Sequence, residues 1–326
     1  MTKAIRIHEA GGPEQMVWED VQVGDPGPGE ARIRHTAVGL NYIDVYQRMG
    51  MYPLPGLPTV IGMEAAGVIE ALGEDTPDDL AVGMRVAYAD NPPGAYSQAR
   101  VIPAHRLVPV PDGIDDNTAA AMMLQGMTAE YLLRRTYEVK PGDTILFHAA
   151  AGGVGLIACQ WAKHLGATVI GTVGSDEKAE LARAHGCDHT IVYTRENFLD
   201  RVMEITGGAG LPVVYDSVGK DTFVDSMKCL KPRGLAVNFG NASGPAEPVA
   251  PGDLAKMGCI YLTRPSLMVY NAKREDLLAS AKALFDVVLA GHVKIEIHQT
   301  YPLADAAQAH RDLEGRKTTG STVFTV

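Results

Sequence analysis

The chain has 326 residues, of which 46% are hydrophobic and 21% charged, with a formal net charge of −10. That is longer than one hydrophobic core commonly serves, so two domains are expected, and the acidic balance argues against nucleic acid or an anionic membrane as the main partner. No apolar run reaches the length of a membrane span. The cysteines Cys159, Cys187, Cys229 and Cys259 form neither a C-x-x-C pair nor a zinc spacing, which fits a reducing cytoplasm.

The N-terminus, Met1 to Ile7, reads as a strand, not as a basic region leading into an apolar signal core. Residues 1–112 read as mostly β. Short apolar runs recur at Ala31–Val38, Thr59–Leu72, Arg85–Ala89 and Leu107–Val110, separated by Gly- and Pro-rich turns such as Gly24–Gly29. This punctuation predicts a barrel-like β domain. One helix is expected at Tyr42–Met49, after Asn41, and a long helical region at Asp115–Arg135.

From residue 141 the pattern changes. Thr144–Phe147 is β-branched and apolar, a buried strand. Ala149-Ala150-Ala151-Gly152-Gly153-Val154-Gly155 follows and leads into an apolar-rich helix to Leu165. A strand, a Gly-rich turn and a helix form the first βα unit of a dinucleotide-binding fold. Gly152 lets the backbone approach a pyrophosphate, which the free N–H groups of the helix N-terminus meet, and Gly155 lets helix and strand pack closely. The first glycine of G-x-G-x-x-G is here Ala150.

Strands are then expected at Thr168–Val173, His189–Tyr193, Pro212–Val218, Gly234–Phe239 and Cys259–Leu262. The helices between them start at Ser175, as N-cap, and span Asn197–Ile205 and residues 221–230. Alternating strands and helices predict a doubly wound parallel sheet. The tail returns to the earlier style, with a helix at Arg274–Ala290, a strand at Val293–His298, a helix at Ala304–Leu313 and a strand at Ser321–Val326. The fold class is therefore α/β, with a Rossmann-type domain inserted into a mostly β domain and a cofactor cleft expected between them.

Four blocks carry a family resemblance: Gly39–Asp44, Phe147–Trp161, Val214–Gly219 and Thr263–Leu267. On these the chain resembles the zinc-independent quinone oxidoreductases of the medium-chain dehydrogenase/reductase superfamily, the zeta-crystallin-like branch. The resemblance implies a GroES-like catalytic domain at 1–124 and 268–326, a Rossmann domain at 125–267, NADPH as cofactor and a homodimer.

Zinc alcohol dehydrogenases of this superfamily hold catalytic zinc with a Cys, the His of a Gly-His-Glu triplet and a third ligand. Here the Cys position resembles Asn41, the triplet is Gly62-Met63-Glu64, and the segment that would carry a structural zinc, Asn91–Arg100, has no cysteine. An amide and a thioether do not replace a thiolate and an imidazole on zinc, so no metal is expected. NAD binders usually carry an acid at the end of the second strand; here that strand ends Gly174-Ser175. Lys178, Ser175 and Tyr193 lie where the family holds the adenosine phosphate, which favours NADPH. Ser175 as a plain helix cap and Lys178 as a solvated lysine is the other reading.

By resemblance, Asn41, Tyr42 and Tyr46 lie against the nicotinamide. Thr128 and Tyr131, the turn Ala151-Gly152-Gly153-Val154, Ser217, Phe239, Gly240, Ser243, Arg264, Pro265, Leu267 and Arg316 complete the cofactor contacts. The family often has a lysine where Gln125 stands, so Gln125 brings a hydrogen bond without charge. Asn41, Tyr46 and Tyr52 are the candidate donors to an acceptor oxygen. Packing alone can also account for Tyr46, and a loop position for Tyr52. Asp216 reads as a structural hydrogen-bonder. The expected activity is hydride transfer from NADPH to a quinone, which can take its last proton from solvent. The alternatives are a 2-alkenal or enone reductase with the same cofactor and a non-enzymatic NADPH-binding crystallin or RNA-binding protein; the lack of a basic stripe counts against RNA. An edge strand near Gly258–Leu262 is the expected dimer contact.

Overall fold

The computed structural model describes Thr2–Val326. The strands are β1 (Thr2–Ile7), β2 (Met16–Val21), β3 (Glu30–Gly39), β4 (Thr59–Val60), β5 (Glu64–Leu72), β6 (Arg85–Ala89), β7 (Ala99–Pro103), β8 (Val108–Pro109), β9 (Thr144–Phe147), β10 (Thr168–Val173), β11 (His189–Val192), β12 (Leu211–Asp216), β13 (Leu230–Asn238), β14 (Tyr261–Thr263), β15 (Ile297–Pro302) and β16 (Ser321–Thr325). They belong to two compact units. One takes residues up to Met127 with Asn271–Leu289 and Ile295–Val326; the other takes Thr128–Tyr270 and Ala290–Lys294. The chain passes between the units after Met127, inside the helix Asp116–Tyr131, after Tyr270, and again on either side of Ala290–Lys294.

In the first unit β15-β16-β3-β5-β6-β8 form a mainly antiparallel sheet in which β7 also pairs with β3, and β2-β1-β4 form a small second sheet. Ile5, Ile33, Val38, Ile69, Tyr88, Tyr96 and Phe324 are buried together in its core. Alternate residues of β3 point inward, as a half-buried strand requires. The pairing of β4 with β1 stops at Val60, and β5 starts afresh at Glu64, so the apolar run 59–72 is two strands instead of one.

The second unit is a parallel sheet in the order β11-β10-β9-β12-β13-β14. All its strands are parallel, but sequence order steps outward from β9 to β11 on one side and from β12 to β14 on the other, so the order reverses at β9 and β12. Ligands of doubly wound sheets bind at the carboxyl ends of the strands at such a reversal. Leu146, Ile170, Ile191, Val214 and Ala236 fill the core under helices bearing Phe198, Val202, Phe223 and Met227.

Two further expected elements differ in extent, and one helix is additional. The strand expected at Val293–His298 begins at Ile297, because Ala290–Lys294 belong to the second unit while Ile295 onward belong to the first. The strand expected to run to Val218 ends at Asp216, whose Oδ1 accepts the N–H groups of Val218 and Gly219 and turns the chain. A short helix at Pro251–Lys256, opened by proline at its first turn, was not expected.

Candidate functional site

The Gly-rich turn sits at the carboxyl end of β9. Ala149 takes a positive φ of 55°, and Gly152 is the N-cap of the helix Gly153–His164 with no side chain closing its N-terminus. A Cβ at Gly152 would meet only its own turn, at Ala149 O 3.2 Å away, so the outer face of the turn is open to a ligand. A Cβ at Gly155 would lie 2.4 Å from Ala149 O and 2.7 Å from the Ala150 carbonyl carbon. Gly155 therefore keeps helix and turn in contact, while Gly152, Gly153 and Val154 remain partly accessible at the helix start. The arrangement leaves backbone N–H groups and the positive end of a helix dipole facing outward, which fits the pyrophosphate of a dinucleotide.

A buried polar chain ties this turn to its neighbours. His148, next to the turn, has Nδ1 2.8 Å from Thr172 Oγ1 on β10 and Nε2 2.9 Å from Ser226 Oγ. Ser226 donates to Asp216 Oδ2 at 2.7 Å, and Thr222 Oγ1 donates to the same oxygen at 2.7 Å. Ser226 Oγ also lies 2.9 Å from Thr222 O; because its one proton goes to these oxygens, His148 Nε2 carries a hydrogen and donates to Ser226, and Nδ1 accepts from Thr172. Burial holds the His148 pKa below its ordinary value against the opposing pull of Asp216, so the ring is neutral. One imidazole thus links the carboxyl ends of β9 and β10 directly and that of β12 through Ser226. Sequence reading did not single out His148, Thr172 or Ser226; only tertiary pairing brings them together.

Around the expected adenosine site, Ser175 caps the helix Asp176–Ala184 by accepting Lys178 N–H at 3.3 Å, and Lys178 is half-buried. Tyr193 is 40% exposed, and its hydroxyl lies 2.9 Å from where a Cβ of Gly174 would stand. Arg195, which sequence reading did not flag, grips Asp176 with both guanidinium ends at 2.6 and 2.5 Å. That side-chain bond lowers the Asp176 pKa and turns its carboxylate onto a cation.

At the other strand ends Phe239 packs on Phe147 with ring centroids 5.6 Å apart. A Cβ at Gly240 would lie 2.5 Å from Ser217 O, so these residues approach through backbone. The Ser243 hydroxyl donates to Val218 O at 2.9 Å and accepts Asp221 N–H at 3.0 Å, so it is used to join two loops. Arg264 donates to Asn238 O at 3.0 Å, Pro265 is half-buried and Leu267 is buried. Thr128 and Tyr131 are both buried, and Tyr131 stacks on Tyr270 at 4.6 Å, which uses the ring in packing.

In the first unit Asn41 precedes the helix Tyr42–Arg48 and Asp44 Oδ2 accepts its N–H at 2.9 Å, one arm of a capping box. The expected aromatic residues come together: Tyr42 and Tyr46 centroids are 5.7 Å apart, Tyr46 and Tyr52 5.2 Å. Burial and Glu314 raise the Tyr42 pKa, while the Arg316 charge lowers it, which places Arg316 near this cluster. Asn41 Nδ2 lies 2.5 Å from Glu64 Oε2, and Gln125 Nε2 lies 3.3 Å from Asn41 Oδ1. Gln125 also meets Ser321 Oγ at 2.7 Å. Beneath Asp44 runs a second chain. Tyr96 donates to Asp44 Oδ2 at 3.0 Å, His310 Nε2 stands 3.0 Å from the Tyr96 oxygen, and Arg48 Nη1 donates to His310 Nδ1 at 2.9 Å. Arg48 is fully buried and also grips Glu314 through both ends at 2.9 Å. Burial pushes the Asp44 pKa up to about 7 and that of Glu64 up to about 8, and lowers that of His310 to about 3. Asp44 was legible as the third helical residue after Asn41; His310, 262 residues from Arg48, carried no local signal.

The metal positions can be judged on these contacts. Asn41 is joined to Glu64 and Gln125, and Met63 is fully buried with its sulfur 3.2 Å from Gln47 Nε2. An amide, a thioether and a carboxyl already joined to that amide do not make a zinc site. Among the described residues no group of three or more His, Cys, Asp or Glu side chains is placed to hold a metal ion.

A reversed-order parallel sheet with an open Gly-rich turn, joined in one chain to a β-rich unit, is the architecture of a nucleotide-dependent dehydrogenase. Residues 27–112 match the model of the alcohol dehydrogenase GroES-like domain, and residues 153–284 match that of the zinc-binding dehydrogenases. A quinone oxidoreductase of Pseudomonas aeruginosa is 54% identical over 99% of both chains, and a 2-haloacrylate reductase of Burkholderia is 50% identical over 99% of both. The crystal structure of Escherichia coli quinone oxidoreductase complexed with NADPH superposes with a TM-score of 0.97 at 45% identity, covering 100% of each chain. The chain belongs to the quinone oxidoreductase family of the medium-chain dehydrogenase/reductase superfamily.

Proposed function

We propose that the protein is an NADPH-dependent quinone reductase that transfers hydride without zinc. The observation that carries this reading is the open Gly-rich turn at the reversal point of the sheet, in a chain whose zinc positions are an amide and a thioether. The similarity to quinone oxidoreductases, one of them complexed with NADPH, supports the same assignment. When bound, NADPH supplies the hydride.

The chain's own residues bind and orient. The N-terminus of the helix Gly153–His164 meets the pyrophosphate, with Ala151 and Gly152 approaching through backbone. Ser175, Lys178 and Tyr193 take the adenosine phosphate, with Arg195 removing the repulsion of Asp176. Asn41, Tyr46 and Tyr52 orient the acceptor and donate to its oxygen as negative charge develops there. The balance is NADPH, a proton and a quinone giving NADP⁺ and a hydroquinone. The reading includes a homodimer in the cytoplasm; the exposed Tyr261 and Leu262 on the edge strand β14 support the dimer. The test is oxidation of NADPH, and separately of NADH, by 1,4-benzoquinone with and without chelator. NADPH oxidation that survives the chelator, and is slow with NADH, is expected; tight NADPH binding with no turnover overturns the assignment.

A second reading is reduction of a polarised C=C bond, favoured by the 50% identity to a 2-haloacrylate reductase. Turnover with 2-haloacrylate or a 2-alkenal and none with quinones would select it.

A further inference from the structure

Glu64 sits fully buried at the start of β5, with Oε1 accepting Leu124 N–H at 2.8 Å and Oε2 2.5 Å from the Asn41 side-chain amide. Gly39 makes the space: a Cβ there would lie 2.6 Å from Glu64 Oε2 and 2.2 Å from Ala120 O. From Asn41 the contacts pass to Gln125 at 3.3 Å, to Ser321 Oγ at 2.7 Å and to Ala121 O at 2.9 Å.

The direction of this chain follows from counting protons. With the Asn41 nitrogen toward Glu64 and the Gln125 oxygen toward Ser321, the single Ser321 proton faces two acceptors, Gln125 Oε1 and Ala121 O. Rotating both amides by half a turn, and placing a proton on Glu64 Oε2, removes this conflict. Glu64 then donates to Asn41 Oδ1, Asn41 Nδ2 to Gln125 Oε1, Gln125 Nε2 to Ser321 Oγ, and Ser321 to Ala121 O. Each link of the chain then has one donor and one acceptor.

We propose that Glu64 is a neutral, hydrogen-bond-donating acid that fixes the direction of the Asn41 and Gln125 amides, and so acts as a positioning residue for the reaction. The role rests on the reading of Asn41 as a residue that faces the acceptor. The charges around Glu64 agree. Burial, helped by the like-charged Asp44, raises its pKa to about 8 against the hydrogen bonds of Asn41, Leu124 and Met123, and Tyr88 and Tyr96 are the other titratable groups that sense it. Loss of the proton leaves a carboxylate that only accepts. Asn41 must then turn its nitrogen to Glu64, Gln125 follows, and the second N–H of Asn41 points elsewhere. Gln125, which brings no charge, keeps the acid neutral; a lysine there would stabilise the carboxylate.

Two measurements test this. The first is infrared spectroscopy of the full-length protein carrying isotope-labelled glutamate, which separates Glu64 from Asp44. A neutral-carboxyl stretch from glutamate at about pH 6, lost above about pH 8 and absent from Glu64→Gln, is expected. Its absence at about pH 6 overturns the proposal, whether or not the protein reduces quinones. The second is the pH profile of NADPH-dependent quinone reduction. Above about pH 8 wild-type kcat/KM falls about tenfold per unit, whereas Glu64→Gln, whose amide donates to Asn41 at every pH, lacks this limb. The same alkaline limb in both proteins overturns the proposal.

Discussion

Replacing His148 by leucine tests how the strand ends are held. The side chain is fully buried and its ring bridges Thr172 on β10 and Ser226, which binds Asp216 on β12. Leucine fills much of the volume and makes neither bond. Thr172 Oγ1, itself buried, then has no acceptor, which costs about 1–3 kcal/mol, while Ser226 keeps its bond to Asp216 and loses only an incoming donor, about 0.5–1.5 kcal/mol. The expected loss is therefore about 2–4 kcal/mol, read from urea denaturation by circular dichroism, with weaker NADPH binding by fluorescence titration. Adding Thr172→Val to His148→Leu removes the orphaned hydroxyl, so the double variant should recover about 1 kcal/mol relative to the sum of the singles. A loss below about 0.5 kcal/mol with unchanged NADPH affinity, or strict additivity in the cycle, would refute the argument that this imidazole holds the turn.

Stability should peak on the acid side of neutrality. Asp44 and Glu64 bind protons more tightly when folded, so their contribution is complete below their ordinary values near 4 and is lost as pH rises through about 7 and about 8. His35 and His310, held at about 3 by burial, act in the opposite sense: their contribution is present above about 6.5 and is lost as pH falls toward 3. Thermal melts should show a maximum near about pH 5–6 and a decline toward pH 8, at about 1.4 kcal/mol per pH unit for each net proton; a rise over that interval contradicts the assignments. Gly155→Ala forces a methyl to within 2.4 Å of Ala149 O and should cost about 1–3 kcal/mol by denaturation, with weaker NADPH binding. Arg48→Met leaves His310 Nδ1 without its donor and Glu314 without its bidentate partner, and should cost about 3 kcal/mol in the same assay. Arg195→Ala frees the Asp176 carboxylate and should raise KM for NADPH several-fold while leaving that for NADH nearly unchanged; equal effects on both would place Arg195 outside the phosphate site.

The parallel sheet was legible because its signals are local. Thr144–Phe147, Thr168–Val173 and the helix opened by Ser175 are each set by side-chain type within a few residues, and they appear where expected. The same holds for Gly155, which the turn requires whatever lies elsewhere in the chain. The absence of zinc-type donors at residues 41 and 63 was likewise a matter of residue chemistry alone. Tertiary structure decided the rest. It spent Ser243 on a loop junction and Tyr131 on a stack, and it paired Asp176 with Arg195 across a separation of 19 residues. It also set the polar chains Arg48–His310–Tyr96–Asp44 and Glu64–Asn41–Gln125–Ser321, whose members lie on strands and helices distant in sequence. A periodic pattern shows which face of an element is buried. It does not show which buried polar group on another element will meet it, and the burial that moves Glu64 and His310 from their ordinary pKa values exists only once those elements have packed.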